Sequence, residues 1–518
     1  MRSVRSLLVL ILLLPALAWA VDGGPWFVGS LEDPNASTSA DRYIGEQAQE
    51  APGATPTPSG GGSNEGTWWA TSQALDGLEG SITIPNAVGV GNTVDFTLIY
   101  ETTAFGTTDD CGSHGTYEML ALGSLDPPGG ADETTLFFNT GTINIAAKTC
   151  FQIRADPNTA GPNDFSYVVM RATNDALTEW HASSPTSFTG DFWGGSLLTA
   201  TTTDDASNWR AAKAIAAVGG WFSVDAPIAT GTYDIRLEVS NGAPTAAQTC
   251  NAVMGAVATP CTDTTCTTLC SITGGDTNCF KALDNTITIP AGRCFRIFAD
   301  DTGTATSTGG AVFVLTTAED AGGTTGGPAV WGHSTAGFST DFARGLRSLF
   351  GTADTTTEDN AWLLPKAIGS VSGRLEFATT AATGSWDITL GTTGAPVTNG
   401  KSCDGVDPAY TSSATLCTIA TGENTCTFTD VAVSSVADGC ARLLVTRVGT
   451  PASGAHRWNL QLVEADATAT PTPTATATAS PTPTASSTPT PTASLTPSPT
   501  SSPTPTPTTS PTPTATAT

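Results

Sequence analysis

Apolar and polar residues alternate in short runs along most of the chain. In the run VDFTL at 94–98, valine, phenylalanine and leucine alternate with aspartate and threonine. The runs YDIRL at 233–237 and WDITL at 386–390 repeat this order. A period of two places the apolar residues on one face of a β-strand. Because Thr- and Gly-rich turns separate such runs, the sequence predicts an all-β protein built from β-sandwiches.

A second alternating stretch occurs three times, as TCFQIRAD at 149–156, RCFRIFAD at 293–300 and GCARLLVT at 439–446. In the first copy the alternation predicts that Phe151 and Ile153 face the core. It predicts that Cys150, Gln152 and Arg154 face outwards.

One segment, AAKAIAAV at 211–218, has the composition of a helix. Its counterpart LLPKAIGSV at 363–371 carries Pro365 and Gly369, which disfavour a helix. Since two copies of one unit share a fold, strand or loop is predicted for both.

Further markers recur in the same order. A tryptophan precedes an alanine by five residues and a glycine by eleven in the sets Trp69-Ala74-Gly80, Trp209-Ala214-Gly220 and Trp362-Ala367-Gly373. Another tryptophan is interpreted as the upstream marker of each unit, at Trp26, Trp180 and Trp331. Agreement in both order and spacing predicts three copies of one self-contained domain, each too long to be a solenoid repeat.

The predicted organisation has five parts. These are a signal peptide at 1–20, sandwich units at 21–179, 180–330 and 331–466, and a disordered tail at 467–518. The first unit contains a Pro- and Gly-rich segment at 51–62, which is expected to be a flexible loop.

The first twenty residues have the pattern of a secretory signal. Arg2 and Arg5 precede an apolar run at 7–14, and the segment ends with the small-x-small sequence at 18–20. This run is too short to span a bilayer, so a membrane anchor is the weaker interpretation. We expect an exported, soluble protein, secreted or at the cell surface.

Net charge limits the partners of this chain. It has 20 Lys and Arg against 47 Asp and Glu, a net charge of −27. Such a surface repels phosphate groups, so nucleic acid and anionic lipid are not expected as partners.

The tail at 467–518 contains only Ala, Thr, Ser and Pro apart from one Leu. It cannot form a core. An extended stalk, suited to O-glycosylation, and a plain spacer both fit this composition.

Twelve cysteines in an exported chain indicate disulfide bonds. Matched spacing across the units predicts the bridges Cys111–Cys150, Cys250–Cys294, Cys403–Cys440, Cys270–Cys279 and Cys417–Cys426, with Cys261 and Cys266 left to pair in the second unit. A zinc site in the dense 250–294 stretch is the alternative, but its spacings CTDTTC and CTTLC are not zinc knuckles.

Several strings resemble jelly-roll modules related to complement globular heads and tumour-necrosis-factor-like domains, in their bacterial secreted forms. They are WLLPKAIGSVSG at 362–373, GSWDITL at 384–390, CTIATGENTC at 417–426, ARLLVTR at 441–447 and RWNLQLVE at 457–464. The resemblance is best in the third unit. It implies a sandwich that commonly forms trimers and binds through its surface, and it implies no catalytic residues.

Candidate chemical sites are few. The sequence GHSTA at 332–336 approaches a hydrolase nucleophile elbow around Ser334, but the final glycine is missing and the surroundings are β. The four histidines are His114, His181, His333 and His456. His181 and His333 each stand beside an upstream tryptophan, and structural packing is favoured over a functional site. Recurrent loop acids, among them Asp156 and the pairs at 204–205, 300–301 and 358–359, could hold Ca²⁺. Their irregular spacing favours solvated loops, so no cofactor is expected.

Two classes of function are compatible with these features. The first is an exported, non-catalytic surface or extracellular protein, structural or adhesive, with a protein or glycan partner. The alternative is a secreted carbohydrate-binding or carbohydrate-active protein. The stretches between bridged cysteines, at 112–149, 251–293 and 404–439, are expected to be variable binding loops. The three units could pack around a pseudo-threefold axis within one chain, or lie as beads on a string.

Overall fold

The computed structural model describes residues 24–31, 42–45, 68–84, 93–111, 117–125, 134–157, 166–174, 177–184, 190–194, 198–199, 208–225, 227–254, 261–262, 264–305, 310–320, 326–334, 342–344, 361–397, 403, 410–451 and 454–465. The predicted signal peptide, the loop at 51–62 and the tail lie outside these residues. The described chain is almost entirely β, with one short helix, α1 (Cys250–Met254). The predicted all-β class is confirmed.

The strands fall into three groups, which we name sandwiches 1, 2 and 3. Sandwich 1 contains β1 (Trp26–Leu31), β2 (Arg42–Ile44), β3 (Trp69–Thr71), β4 (Leu78–Ile84), β5 (Val94–Tyr100), β6 (Glu118–Leu125), β7 (Thr134–Asn139), β8 (Thr149–Pro157) and β9 (Ser166–Ala172).

Sandwich 2 contains β10 (Thr178–Ser184), β11 (Phe192–Gly194), β12 (Leu198–Thr199), β13 (Trp209–Arg210), β14 (Ala217–Val224), β15 (Thr232–Ser240), β16 (Thr264–Thr273), β17 (Asn278–Asp284), β18 (Cys294–Asp301) and β19 (Ala311–Ala318). Sandwich 3 contains β20 (Ala329–Ser334), β21 (Phe342–Arg344), β22 (Trp362–Leu363), β23 (Ile368–Phe377), β24 (Ser385–Thr393), β25 (Tyr410–Ile419), β26 (Thr425–Ala432), β27 (Cys440–Val448) and β28 (His456–Glu464).

Each sandwich has the strand order of a jelly roll. The first sheets run β1-β9-β4-β7, β10-β19-β14-β17 and β20-β28-β23-β26. The second sheets run β2-β8-β5-β6, β12-β11-β18-β15-β16 and β21-β27-β24-β25, and the short strands β3, β13 and β22 pair with β8, β18 and β27. Counting the eight main strands of each sandwich in chain order gives 1-8-3-6 in one sheet and 2-7-4-5 in the other. This is the order of two intertwined Greek keys.

The recurrent tryptophan is part of the core in every copy. Trp69, Trp209 and Trp362 are buried, and each pairs with the strand that carries the repeated octamer. Phe151 and Ile153 are also fully buried. The sequence-based assignment of these residues to the core is confirmed.

The recurrent glycine has a steric cause. Gly80, Gly220 and Gly373 lie on the third main strand, and each faces the backbone of the eighth. A Cβ atom at Gly373 would lie 2.3 Å from the carbonyl oxygen of Asn459, and Gly80 and Gly220 are as tightly enclosed. No larger residue fits without moving the sheet.

We expect Gly373→Ala to lower the free energy of unfolding by about 2–3 kcal/mol, because the new methyl group meets backbone that cannot step aside. Gly242→Ala is the matched control, since its Cβ would have no atom within 4 Å. Urea denaturation followed by tryptophan fluorescence measures both variants. Equal midpoints for the two would contradict the steric explanation.

A β-bulge recurs on the outer strand of each second sheet. The pairing of β5 with β6 skips Leu122, that of β15 with β16 skips Leu269, and that of β24 with β25 skips Leu416. All three leucines pack against the core of their own sandwich. Because a bulge disrupts the ladder at a free edge, it disfavours pairing with another chain.

Two interpretations of the sequence are wrong. The stretches between bridged cysteines are not loops, because each contains two strands, such as β25 and β26 within 404–439. The upstream tryptophans are also out of register. Trp180 pairs with Leu315, whereas Val330, not Trp331, pairs with the equivalent Leu460. A shift of one residue places Trp331 on the opposite face of its sheet.

Candidate functional site

The sandwiches contact one another in a closed order, 1 with 2, 2 with 3 and 3 with 1, and the described residues between 24 and 465 belong to one compact unit. We call these contacts the 1–2, 2–3 and 3–1 seams. They contradict the beads-on-a-string alternative. They also give the candidate site, because the buried charges and titratable pairs described below lie in them.

One contact recurs between neighbouring sandwiches. It joins the turn that follows the core tryptophan of one sandwich to the eighth main strand of the next sandwich. In the 1–2 seam the hydroxyl of Ser72 hydrogen-bonds that of Thr316. In the 2–3 seam the backbone N–H of Ala212 donates to Oε1 of Gln461 at 2.9 Å. Thr316 and Gln461 are equivalent, since each follows the residue paired with the recurrent glycine.

In the 3–1 seam a charged residue occupies the same strand position. Arg171, the equivalent of Thr316 and Gln461, donates from Nη1 to Oε2 of Glu464 at 2.9 Å. Oε1 of Glu464 accepts the indole N–H of Trp26 at 3.0 Å. Burial raises the pKa of Glu464, and Arg171 opposes that rise.

A backbone contact recurs as well. The carbonyl of Thr107 accepts the N–H of Thr277 at 2.7 Å across the 1–2 seam, and that of Ala246 accepts the N–H of Asn424 at 2.9 Å across the 2–3 seam. Each carbonyl lies four residues before the first bridged cysteine of its sandwich. The two seams therefore share one geometry.

Side chains at the middle of the seams differ. Trp221, Arg374 and Ser81 occupy one strand position in the three first sheets, next to the recurrent glycine. Trp221 packs edge-on against Phe105 of sandwich 1, at 5.9 Å between ring centroids. Arg374 instead donates to the carbonyl oxygen of Asn208 in sandwich 2. Each sandwich thus presents a surface that fits its own neighbour.

All twelve cysteines are bridged, each within its own sandwich, as Cys111–Cys150, Cys250–Cys294, Cys261–Cys266, Cys270–Cys279, Cys403–Cys440 and Cys417–Cys426. These are the pairings that the spacing predicts. In sandwich 1 the place of the second shared bridge is occupied by Gly123 and Leu136, which lie in contact.

The long bridges lie in the seams. Cys111 and Cys150 pack in one apolar cluster with Trp221 of sandwich 2. Sγ of Cys250 accepts a hydrogen bond from Arg374 of sandwich 3. Covalent cross-links therefore hold the segments that contact the next sandwich.

This location corrects one expectation. Cys150 and Gln152 face away from the core of sandwich 1, as the alternation predicts, but they are buried. Arg154 is half-buried and pairs with Asp156 at 2.9 Å. Alternation identifies which face a residue lies on, but not what covers that face.

A buried ionic cluster occupies the 2–3 seam. Glu376 is fully buried, and its carboxylate accepts from Arg374 at 2.7 Å and from Arg457 at 3.2 Å. It also accepts the backbone N–H of Cys250 at 3.1 Å, across the seam. Burial lowers the pKa of nearby Arg210 to about 10, and the positive charge of Arg374 acts in the same direction.

One residue of each sandwich meets at a common junction. The ring of His181 lies 5.4 Å from that of Phe27 and 6.2 Å from that of Trp331. Burial lowers the pKa of His181 to about 3. His333 does not occupy the strand position equivalent to that of His181. Trp331 occupies that position, and His333, two residues further along the strand, pairs with Arg457.

Glu179 is a second buried titratable group at this junction. Oε1 accepts the N–H of Ser72 at 2.8 Å and the hydroxyl of Thr71 at 3.1 Å. Oε2 lies 3.6 Å from Nε2 of His181. Burial raises the pKa of Glu179 to about 7, although the hydrogen bonds from sandwich 1 act against the rise.

We expect Glu179→Gln to change the pH dependence of stability. Because the folded pKa of Glu179 lies above its value of 4.5 in an unfolded chain, its stabilisation is complete below pH 4.5 and is lost as the pH rises through about 7. Glutamine cannot ionise, so the variant should gain about 3 kcal/mol relative to the parent between pH 4.5 and pH 8. Denaturation midpoints at matched pH values measure this. A constant difference across that range would contradict it.

The outward faces of the second sheets carry another recurrent pair. An aspartate on one strand accepts a hydrogen bond from a hydroxyl on the next, in Asp95–Ser124, Asp234–Ser271 and Asp387–Thr418. The hydroxyl-bearing residues are exposed and the aspartates are half-buried. This pair faces solvent at one place in all three sandwiches.

In sandwiches 1 and 2 a second aspartate lies opposite the first. Asp156 is held by Arg154 at 2.9 Å, and Asp300 by Arg236 at 2.6 Å. These arginines stand on different strands, but each offsets the repulsion between facing carboxylates. Among the described residues, no three His, Cys, Asp or Glu side chains are grouped as metal ligands.

The remaining candidates do not form a site. Ser334 ends β20 within a sheet, without the strand–turn–helix corner that a nucleophile elbow requires. His456 is buried and packs edge-on against Phe377. His114 and the acids at 204–205 and 358–359 lie outside the described residues.

Sequence reasoning missed the charged residues of the seams. Glu376 stands between two core residues, Leu375 and Phe377, on a strand whose described residues from Val371 onwards are all buried. The signal in the sequence was a charged residue at a polar position of a strand whose two faces are both covered in the structure. Alternation alone cannot separate such a side from a solvated one.

Comparisons with known proteins identify no family. No protein-family model matches the chain, and no curated protein matches it either. Similar solved structures include the N-terminal CBM22-1-CBM22-2 tandem domain of Paenibacillus barcinonensis Xyn10C. That match is 10% identical, covers 57% of this chain and 99% of that chain, and has a TM-score of 0.17.

Two viral structures are similar at the same level. A triple jelly roll protein of an archaeal virus is 8% identical, with 77% of this chain and 92% of that chain covered and a TM-score of 0.16. The cowpea mosaic virus top component is 9% identical, with 59% and 94% covered and a TM-score of 0.15. At these TM-scores the alignments carry no argument, and the jelly-roll assignment rests on strand order. In the described part of the chain, no helix is long and apolar enough to cross a membrane.

Proposed function

We propose that this is an exported, non-catalytic protein, structural or adhesive, that acts outside the cell as one rigid body made of three jelly rolls. The observation that carries the proposal is the closed order of the seams. Each sandwich buries one side of its second sheet against the first sheet of the next, as the Ser72–Thr316 and Ala212–Gln461 contacts illustrate. A body joined in this way presents the remaining surfaces in a fixed relation.

Repetition supports multivalent binding. The outward aspartate–hydroxyl pair occurs in all three sandwiches. Three weak contacts on one rigid body gain avidity over a single contact. The partner would be polar, because this surface offers hydroxyl and carboxylate groups, and it could be a glycan or a protein.

Two further features support the proposed compartment. Six disulfides are typical of proteins that fold in an oxidising compartment. The predicted signal peptide at 1–20 would direct the chain there. The proposed kinship with tumour-necrosis-factor-like and complement-type modules stays a prediction from the resembling strings of the third unit.

We expect Asp95→Asn, Asp234→Asn and Asp387→Asn to weaken partner binding mildly when introduced singly and to abolish it when combined, because avidity depends on all three contacts. Binding of the full exported chain to cell surfaces and to a glycan array would measure this. Glu118→Gln, an exposed carboxylate on β6, is the control and should bind normally.

Other outcomes would decide against the proposal. Unchanged binding by the folded triple variant would place the binding surface elsewhere. Release of reducing sugar from a polysaccharide by the purified chain would make the protein an enzyme and favour the carbohydrate-active alternative.

A further inference from the structure

One disulfide of sandwich 2 differs from the other five. Cys261 and Cys266 are five residues apart, the shortest separation among the bridges. Both cysteines are half-buried, whereas every other bridge has at least one buried cysteine. Because thiol–disulfide exchange needs a thiolate to approach a sulfur of the bridge, Cys261–Cys266 is the bridge that a reductant reaches most easily.

The backbone at Cys261 also favours opening of the bridge. Its φ is 67°, in the left-handed region that cysteine rarely adopts. Such a conformation persists only where the surroundings hold it. Here the bridge holds it, together with the backbone N–H of Cys261, which donates to Oε1 of Glu238 at 3.3 Å. Breaking the S–S bond removes one of these two constraints and lets the backbone relax.

The fold protects this bridge less from reduction than it protects the others. A bridge stabilises the fold by the same free energy with which the fold stabilises the bridge, since both belong to one thermodynamic cycle. In the chain-entropy model this free energy grows with the number of residues that the bridge encloses. Cys261–Cys266 encloses the fewest residues, so it gains the least from the fold.

The bridge lies at the free edge of a sheet. β16 ends its sheet and pairs with β15 on one side. A bulge at Leu269 interrupts this ladder, and the Cys270–Cys279 bridge holds the strand directly after it. The start of β16, at 264–268, is thus held by one ladder, by the Cys261–Cys266 bridge and by the hydroxyl of Thr264, which donates to Glu238 at 2.6 Å.

This bridge is specific to sandwich 2. Met119 in sandwich 1 and Ser413 in sandwich 3 occupy the strand position of Cys266. The long bridge, in contrast, occurs in all three sandwiches. Cys261–Cys266 is therefore an addition to the repeated unit and not part of its shared framework.

We propose that Cys261–Cys266 is a redox clip, which a dithiol from outside the chain reduces selectively and which releases the start of β16 when it opens. One thiolate of the dithiol attacks a sulfur of the bridge and forms a mixed disulfide, and the other cysteine leaves as a thiolate that takes up a proton. The second thiol of the reductant then displaces the cysteine held in the mixed disulfide. Two electrons and two protons pass to the protein, and the dithiol becomes a disulfide.

The clip is separate from the surface of the proposed function. Ser271, which hydrogen-bonds Asp234, follows Cys270 in the part of β16 that the Cys270–Cys279 bridge holds. Opening of the clip should therefore leave this aspartate–hydroxyl pair in place. Reduction of the clip and binding of a partner are independent results.

Dithiothreitol is the probe, titrated into the full native chain before alkylation of free thiols and peptide mapping. We expect Cys261–Cys266 to be reduced at a concentration at least about tenfold below that needed for any other bridge. Cys270–Cys279 is the control, since it lies on the same strand but one of its cysteines is buried. Once the clip is reduced, amide hydrogen exchange should accelerate at 264–268 and stay slow at 271–273.

The double variant Cys261→Ser, Cys266→Ser tests the release of the strand without a reductant. It should show the same fast exchange at 264–268 as the reduced parent. Earlier reduction of another bridge, or reduction of all six at one concentration, would overturn the selectivity and with it the proposal. Unchanged exchange at 264–268 after reduction of the clip would overturn it as well, because the bridge would then hold nothing in place.

Discussion

Replacing Glu376 with glutamine is expected to destabilise the protein by about 3–5 kcal/mol, a larger loss than that expected from Gly373→Ala. The carboxylate is fully buried between Arg374 and Arg457. Removing its charge leaves two guanidinium groups in a low-dielectric seam with less compensation, and breaking a buried pair from one side costs more than the pair contributes. Urea denaturation at neutral pH measures the loss.

The effect should be concentrated at the 2–3 seam. Because Glu376 also accepts the N–H of Cys250, amide hydrogen exchange in α1 should accelerate in the variant. Lys281→Gln is the matched control, since it removes one member of a partly exposed ion pair with Asp284. Exposed pairs contribute about 0–1 kcal/mol, so a similar loss in both variants would contradict the buried-charge explanation.

Removing the Cys250–Cys294 bridge by alanine substitution at both positions should cost about 4 kcal/mol, because it frees a segment of 44 residues in the unfolded chain. Its location adds to this loss. Cys250, Met254 and Cys294 form a buried cluster beside the 2–3 seam, and Arg374 contacts the bridge. Seam contacts should therefore loosen together with sandwich 2.

The Cys261–Cys266 bridge provides the comparison within the same sandwich. It spans five residues, so its removal should cost only about 2 kcal/mol. Thermal and urea unfolding of the two double variants would compare them directly. If the shorter bridge proved the more stabilising, neither loop length nor the seam could be the dominant cause.

Strand alternation and internal repetition were sufficient to predict the fold class. The runs around Asp95, Asp234 and Asp387 became equivalent strands, and the tryptophans that precede them became core residues. Such features are local, because they depend on which face of a strand a residue occupies. Repetition also constrained the assignment of the turns between these strands, since a single assignment had to fit all three copies.

The register of the first strands, and which sheet faces a neighbouring sandwich covers, could not be predicted in this way. Trp180 and Trp331 look equivalent in sequence, yet they lie on opposite faces because the first strands are offset by one residue. Glu179 and Glu376 look like surface charges, yet both are buried by neighbouring sandwiches. Such burial depends on contacts between domains, which have no local periodicity.

The last strand, β28, connects the rest of the molecule to the residues that follow it. It lies between β20 and β23 in its sheet, it contacts sandwich 2 through Asn459 and Gln461, and it contacts sandwich 1 through Glu464. A mechanical pull that is applied to the chain beyond residue 465 and directed along β28 would load this strand first. Its ladder bonds on both sides lie across that direction and share the load in shear, together with two seams. Tension applied from the C-terminal side would thus be resisted by all three sandwiches at once, and not by the third alone.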